Sequence, residues 1–242
     1  MKGVILGIAP TARIVDITHE ITPYSIDEAA FVIAQAWLYF PQGTIHVVVV
    51  DPGVGSERRP ILAEVGGHDF IAPDNGVLSM IYEAGRPKVH VISNSKLMRK
   101  VVSRTFHGRD VFAPAAAHLE RGLLPADFGE PVTDYIRLPA TKPVQVSGNT
   151  WRGTILKVDR FGNLITNLHI DVSGARIELR VGLDRIHRLA LTYAETAIGE
   201  VFAIVGSSGS LEVAANQASA SKALGCGAGA PVELEIFYDE TR

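Results

Sequence analysis

Hydrophobic residues along this chain fall into two textures. In the first half, apolar runs alternate with stretches of helical spacing. In the second, short alternating segments follow one another with turns between them. The most apolar run is Val47-Val48-Val49-Val50, which lacks polar alternation and predicts a strand buried on both faces in the middle of an α/β sheet. It stops at Asp51. Pro52, Gly53 and Gly55 then predict a tight loop that brings Asp51, Glu57 and Arg58 to the carboxyl end of the strand, where open α/β sheets place their ligands. A loop cap and a solvated arginine are the plain alternative. A Walker phosphate loop is excluded by the missing GK[ST] ending.

Upstream, residues 13–18 alternate as a half-buried strand. Ser25-Ile26-Asp27-Glu28 has the form of a capping box, and Ile26, Ala29, Ala30, Ile33, Trp37 and Phe40 recur at helical spacing until Pro41 and Gly43. On spacing alone Trp37 belongs to a core. Downstream, residues 61–65 and 69–71 predict a hairpin about Gly66-Gly67, and a turn containing Asn75 precedes a short helix over 77–83. A strand over 88–92 follows. His107 stands just before an alanine-rich helix over 111–120 that ends at Arg121-Gly122. A histidine there suits proton handling or an anion, although a hydrogen-bonded loop histidine is commoner.

Prolines 125, 131, 139 and 143 mark a linker over 123–148. Beyond it, short strands over 151–158, 164–168, 176–181, 188–192, 200–205, 211–214 and 232–238 argue for a small barrel or sandwich. The expected fold is therefore an α/β N-terminal domain over 1–140 and an all-β, barrel-like C-terminal domain over 149–242. Two C-terminal loops are rich in hydrogen-bonding groups: Asp159-Arg160-Phe161-Gly162-Asn163 and Gly206-Ser207-Ser208-Gly209-Ser210.

Composition narrows the class. The 242 residues are 47% hydrophobic with a net charge of −3, and the one basic cluster lies at 96–104. Nothing resembles the basic stripe of a nucleic-acid binder, so the expected partner is a small molecule. Cys226 is the only cysteine, which excludes an intramolecular disulfide framework and multi-cysteine zinc patterns. No stretch reaches membrane-span length, and the first ten residues are too short for a signal peptide. The expectation is a cytoplasmic protein with no membrane association.

Taken together, VVVVDPGVGSERR, APDNGVLS, TFHGRDVFAPAAAHL, DRFGNLITN and GSSGSLEVAAN resemble, in this order, the S-adenosyl-L-methionine (SAM) hydroxide adenosyltransferase family, relatives of the SAM-dependent fluorinase and chlorinase. The resemblance implies hydrolysis of SAM to adenosine and L-methionine, with SAM as substrate and neither cofactor nor metal. It also implies a homotrimer whose active sites lie between the N-terminal domain of one subunit and the C-terminal domain of its neighbour. The family's catalytic set falls on Asp51, Arg58 and His107. Arg58 would favour hydroxide character, while Asp51 and His107 would orient the water and take its proton.

By the same resemblance Trp37 lies near the ribose and Asn75 and Phe161 belong to the substrate site. Asp159 and Asn163 meet the methionine and adenine ends, Tyr193 stacks on adenine, and Ser207 and Ser208 line the methionine part. The halogenating relatives lack the Asp-Arg-His set, which tilts the reading away from a halogenase. The family's TTDFG-like first strand, whose aspartate holds the ribose hydroxyls, precedes the segment matched by MKGVI here. A catalytically weak, adenosine-binding trimer is therefore the alternative expectation.

Overall fold

The computed structural model describes residues 1–139 and 142–238. The chain divides into two compact units, Met1–Ala140 and Thr141–Arg242.

In the N-terminal unit, helix α1 (Lys2–Ile8) is followed by an irregular segment. The strand expected over 13–18 does not form: these residues are mostly exposed and pair with no neighbouring strand. Helix α2 (Ile26–Ala36) begins where the cap predicts, with the Ser25 hydroxyl accepting from the Glu28 amide at 3.4 Å. The Glu28 carboxylate accepts from the amide of Thr22, so it also anchors the loop before the helix.

Strands β1 (Ile45–Val47), β2 (Pro60–Val65) and β3 (His68–Pro73) come next. Gly66 and Gly67 join β2 to β3 with φ of 59° and 79°, the two left-handed positions that a two-residue hairpin turn needs. Helix α3 (Ser79–Tyr82) and strand β4 (Lys88–Val91) lead to a π-helical turn, Gly108–Phe112, which runs directly into helix α4 (Ala113–Glu120). A short strand β5 (Pro131–Val132) completes the sheet.

The sheet order is β1-β3-β2-β4-β5, with β1 parallel to β3 and the other pairs antiparallel. The period of two sends Ile61, Ala63 and Val65 to the side of Ala29, Ile33 and Trp37, while Leu62 and Ile71 meet Phe112 and Ala115. Helices thus cover both faces. The valine run departs from its predicted place. Its first residue, Val47, ends the edge strand β1, Val48 to Val50 run on past it, and all four are half-buried because, among the described residues, β3 is the one strand paired alongside. On the open side lies a cavity of about 480 Å³ lined by Ile17, Ile21, Tyr24, Val48, Val50 and Asp51 among others.

The C-terminal unit is a nine-stranded sheet: β6 (Val144–Ser147), β7 (Thr150–Val158), β8 (Leu164–Thr166), β9 (Arg176–Val181), β10 (Asp184–Ile186), β11 (Leu189–Ala190), β12 (Val201–Val205), β13 (Leu211–Ala215) and β14 (Pro231–Phe237). Strand β7 pairs with β14 through its first half and with β8 through its second, and the register shifts between Ile155 and Lys157. Such an irregularity bends a strand and lets the sheet curl over its own core, here Ile155, Leu164, Leu179, Val213 and Leu234. One sequence expectation changes: strand β6 lies inside the proline-rich stretch read as linker. In addition, Ala220–Leu224 form helix α5, capped by Ser219 and ended by left-handed Gly225. The unit is thus not built of strands alone. Among the described residues, no helix is long and apolar enough to cross a membrane.

Candidate active site

The loop after the valines is built to converge on one arginine. Val54 donates to the Asp51 carbonyl and Ser56 to that of Gly53, which folds residues 51–56 into successive turns. Gly55 has φ of 79°, and a Cβ there would lie 2.2 Å from the Arg104 carbonyl. Only glycine lets the loop lie against the segment that leads into His107.

The result is a closed polar group. Arg58 Nε donates to Asp51 Oδ1 at 3.0 Å, and its Nη2 donates both to Asp51 Oδ2 and, at 2.8 Å, to His107 Nδ1. Arg58 and Asp51 side chains are 7% and 6% exposed, so this two-pronged pair sits in a site where removing either partner strands a buried charge. The guanidinium also lies 5.3 Å from the Phe112 ring centroid. Arg58 Nη1 is buried and has no hydrogen-bond partner among the described residues.

Because Arg58 can only donate, His107 Nδ1 is an acceptor and the neutral ring carries its proton on Nε2. Burial, and then the Arg58 cation, lower the pKa of His107. Next to it, Asp110 is fully buried and accepts from Arg109, Arg99 and the Ser103 amide. Chiefly through Arg109, these donors hold its carboxyl far below the usual range. Asp110 thereby ties the approach to His107 to the start of the helix. Its place directly after the His-Gly-Arg run was a signal that sequence reading passed over.

Two other expected ligand residues of this unit have structural partners. Trp37 is 5% exposed and packs edge-on against His68 and Phe70, with ring atoms close over Gly66. It occupies the core and presents no face to a ribose. Asn75 donates to the Val50 carbonyl at 2.9 Å and accepts from the Val77 amide at 3.1 Å, so it clamps the strand end just before Asp51.

In the C-terminal unit a second group forms. Asp159 Oδ1 accepts from the amides of Phe161 and Asn163, and its Oδ2 accepts from Asn163 Nδ2, which also donates to Tyr193 Oη at 3.1 Å. Gly162, at φ of 87°, packs on Ser219, where a Cβ would fall 2.1 Å from the hydroxyl. This holds Phe161 outward, 72% exposed. Tyr193 leans edge-on against Phe202, and burial, then Glu212 and Asp159, raise its pKa. Ser207 is exposed and Ser208 half-buried on a loop closed by Gly206 and Ser210. The structure therefore groups Asp51, Arg58 and His107 in one unit and Asp159, Phe161, Asn163 and Tyr193 in the other.

The sequence matches the SAM hydroxide adenosyltransferase N-terminal domain over residues 1–129 and the C-terminal domain of that family over 153–233. It is 36% identical to an (R)-S-adenosyl-L-methionine hydrolase of Thermus thermophilus, over 97% of this chain and 92% of that protein. A protein of the same name from Salinispora tropica is 38% identical over 92% of this chain and 86% of its own length. A fluorinase of Actinoplanes sp. is 31% identical over 90% of this chain and 85% of its own length. Among solved structures, an uncharacterized conserved protein from Thermotoga maritima superposes with a TM-score of 0.88 at 37% identity, covering 96% of this chain and 92% of that one.

Proposed function

Since this chain belongs to the SAM hydroxide adenosyltransferase family, we propose that it hydrolyses SAM to adenosine and L-methionine. The observation that carries the reading is the preassembled Asp51–Arg58–His107 group with one guanidinium edge, Nη1, buried and unpartnered. Water bound there receives an N–H from a fixed cation, which favours its hydroxide form in a site that excludes bulk solvent. Its oxygen attacks C5′ in line with the C5′–S bond. The bond's electron pair passes to the sulfonium, which leaves as the neutral thioether of methionine.

The hydrogen bonds divide the remaining work. Each Asp51 oxygen takes one Arg58 N–H and keeps a lone pair, so Asp51 is the acceptor for the proton that water releases. His107 Nδ1 is occupied by Arg58, which leaves its Nε2–H to orient the attacking oxygen. Asp159, Phe161, Asn163, Tyr193 and the Ser207–Ser208 loop form the recognition surface for adenine and methionine. Asn75 acts by holding the Val50 carbonyl. The reading includes functional domains over 1–140 and 149–242, the second a barrel-like β domain, and a cytoplasmic homotrimer. The separation of chemistry and recognition groups into different units supports completion of each site by a neighbouring subunit.

The test is incubation with SAM in heavy-oxygen water. Adenosine carrying the label on its 5′ oxygen is the expected product. A 5′-halogenated adenosine formed in chloride or fluoride would move the assignment to the halogenase branch, to which the Actinoplanes relative belongs by name. SAM binding without turnover would leave only the recognition function.

A further inference from the structure

The serine loop is wired to a histidine outside the described site. Ser210 is fully buried. Its Oγ lies 3.0 Å from Ser208 Oγ, which donates to it, and 3.1 Å from Nε2 of His169, an exposed residue that follows β8. The Ser210 amide donates back to Ser208 Oγ at 3.4 Å.

The chain has a direction. A hydroxyl has one proton to give. Ser210 accepts from Ser208, and with His169 as the Nδ1–H tautomer its own proton goes to His169 Nε2. Ser208 has spent its proton inside the loop and can meet a ligand only as an acceptor. Ser207, exposed one residue earlier, keeps its hydroxyl proton to donate. The two adjacent hydroxyls are thereby assigned opposite roles, and an amino acid zwitterion has opposite needs at its two ends: the ammonium donates and the carboxylate accepts.

We infer that His169 is a positioning residue for the methionine part of the substrate: through Ser210 it fixes Ser208 as an acceptor for the α-ammonium group, while Ser207 faces the α-carboxylate. This rests on the reading that the serine loop meets the methionine end. His169 touches neither reacting atoms nor ligand. It acts by removing the alternative in which Ser208 turns its proton outward, towards a group that also has only protons to offer.

The experiment is calorimetric binding of SAM, L-methionine and desamino-methionine, 4-(methylthio)butanoate, to the parent, His169→Ala and His169→Gln. The glutamine Oε1 can accept from Ser210 as the imidazole does. His169→Ala should weaken SAM and L-methionine by about tenfold, leave the desamino compound unchanged and be rescued by His169→Gln. Equal affinities for SAM in parent and His169→Ala would overturn the inference. So would an equal loss for methionine and its desamino analogue, because general loosening of the loop does not discriminate the ammonium. Adenosine release is assayed separately. A parent that binds SAM with this pattern but does not turn it over keeps the inference and removes the hydrolase reading.

Discussion

The Asp51–Arg58–His107 group and the Asp159–Asn163–Tyr193 group are both hydrogen-bonded networks anchored by an aspartate, yet they differ in what the aspartate holds. Asp51 binds a cation whose side chain is 7% exposed, and among the described residues the buried Nη1 of that cation has no partner. Asp159 binds three N–H groups of its own loop, the backbone amides of Phe161 and Asn163 and the Asn163 side chain, and leaves an exposed phenylalanine and a part-exposed phenol at the surface. Fixed charge in a dry setting is what bond breaking needs, because its field requires no reorganisation as charge develops. Neutral donors and aromatic faces on a shaped loop are what recognition needs, since they select a ligand without trapping it. The two networks lie in separate units.

The sharpest way to break this comparison is Arg58→Ala. Turnover of SAM should fall on the order of a hundredfold or more, with adenosine affinity changed far less, because Asn163 and Tyr193 are untouched. Arg58→Lys should also lose most activity, since an ammonium cannot hold Asp51 with two prongs and reach His107 as well. A loss confined to KM would assign Arg58 to uniform binding instead.

A second prediction concerns stability at the opposite end of β1. His46 and His68 are buried, 3.1 Å apart, and stacked among Phe40, Phe70 and Trp37. Burial, then His68, push the His46 pKa down to about 4. A folded pKa below the unfolded value near 6.5 means that protons favour the unfolded chain. This histidine's contribution is therefore complete above about pH 6.5 and is lost as pH falls towards 4, on the order of 3 kcal/mol. Asp69, raised to about 6 by burial and Glu64, works in the opposite sense over much of the same window. Urea denaturation of parent and His46→Phe across pH 7 to 4 separates the two. The variant should lose less stability on acidification, and parallel curves would contradict the assignment.

On the recognition side, a Cβ at Gly206 would sit 1.8 Å from Glu212 Oε1. Gly206→Ala should therefore displace Glu212 and the serine loop together, weakening SAM binding by roughly tenfold, the scale of a modest overpacking cost. The smallest effect belongs to Tyr193→Phe. It removes one acceptor from Asn163, a neutral hydrogen bond of about 1 kcal/mol, and should raise KM roughly fivefold with kcat preserved. A fall in kcat comparable to that of Arg58→Ala would erase the distinction between the two regions.

Several features follow from the chain's own order. Ser25 caps α2, the Gly66-Gly67 pair turns the hairpin, and the change from helical spacing to short strands near the prolines is plain in the residue pattern, because caps, turns and periodicity are local properties. The residue types of the Asp51 loop and the Asp159 loop are likewise written in consecutive positions. Other features depend on what stands beside each element. The valine run reads as a central strand but lies at an edge, because burial on its second face depends on a neighbour that periodicity cannot supply. Helix α5 was hidden in an alanine-serine stretch, and β6 in proline-rich sequence, where β7 provides its ladder. Arg58 and His107 are 49 residues apart, and Ser210 and His169 are 41 apart. Sequence names Arg58, His107 and the serine loop, but not His169. Only the packing of sheet on helix, and of strand on strand, decided that Arg58 donates to His107, that Trp37 fills the core and that Ser210 lies between Ser208 and His169, because hydrogen-bond partners are set by what tertiary structure places within reach.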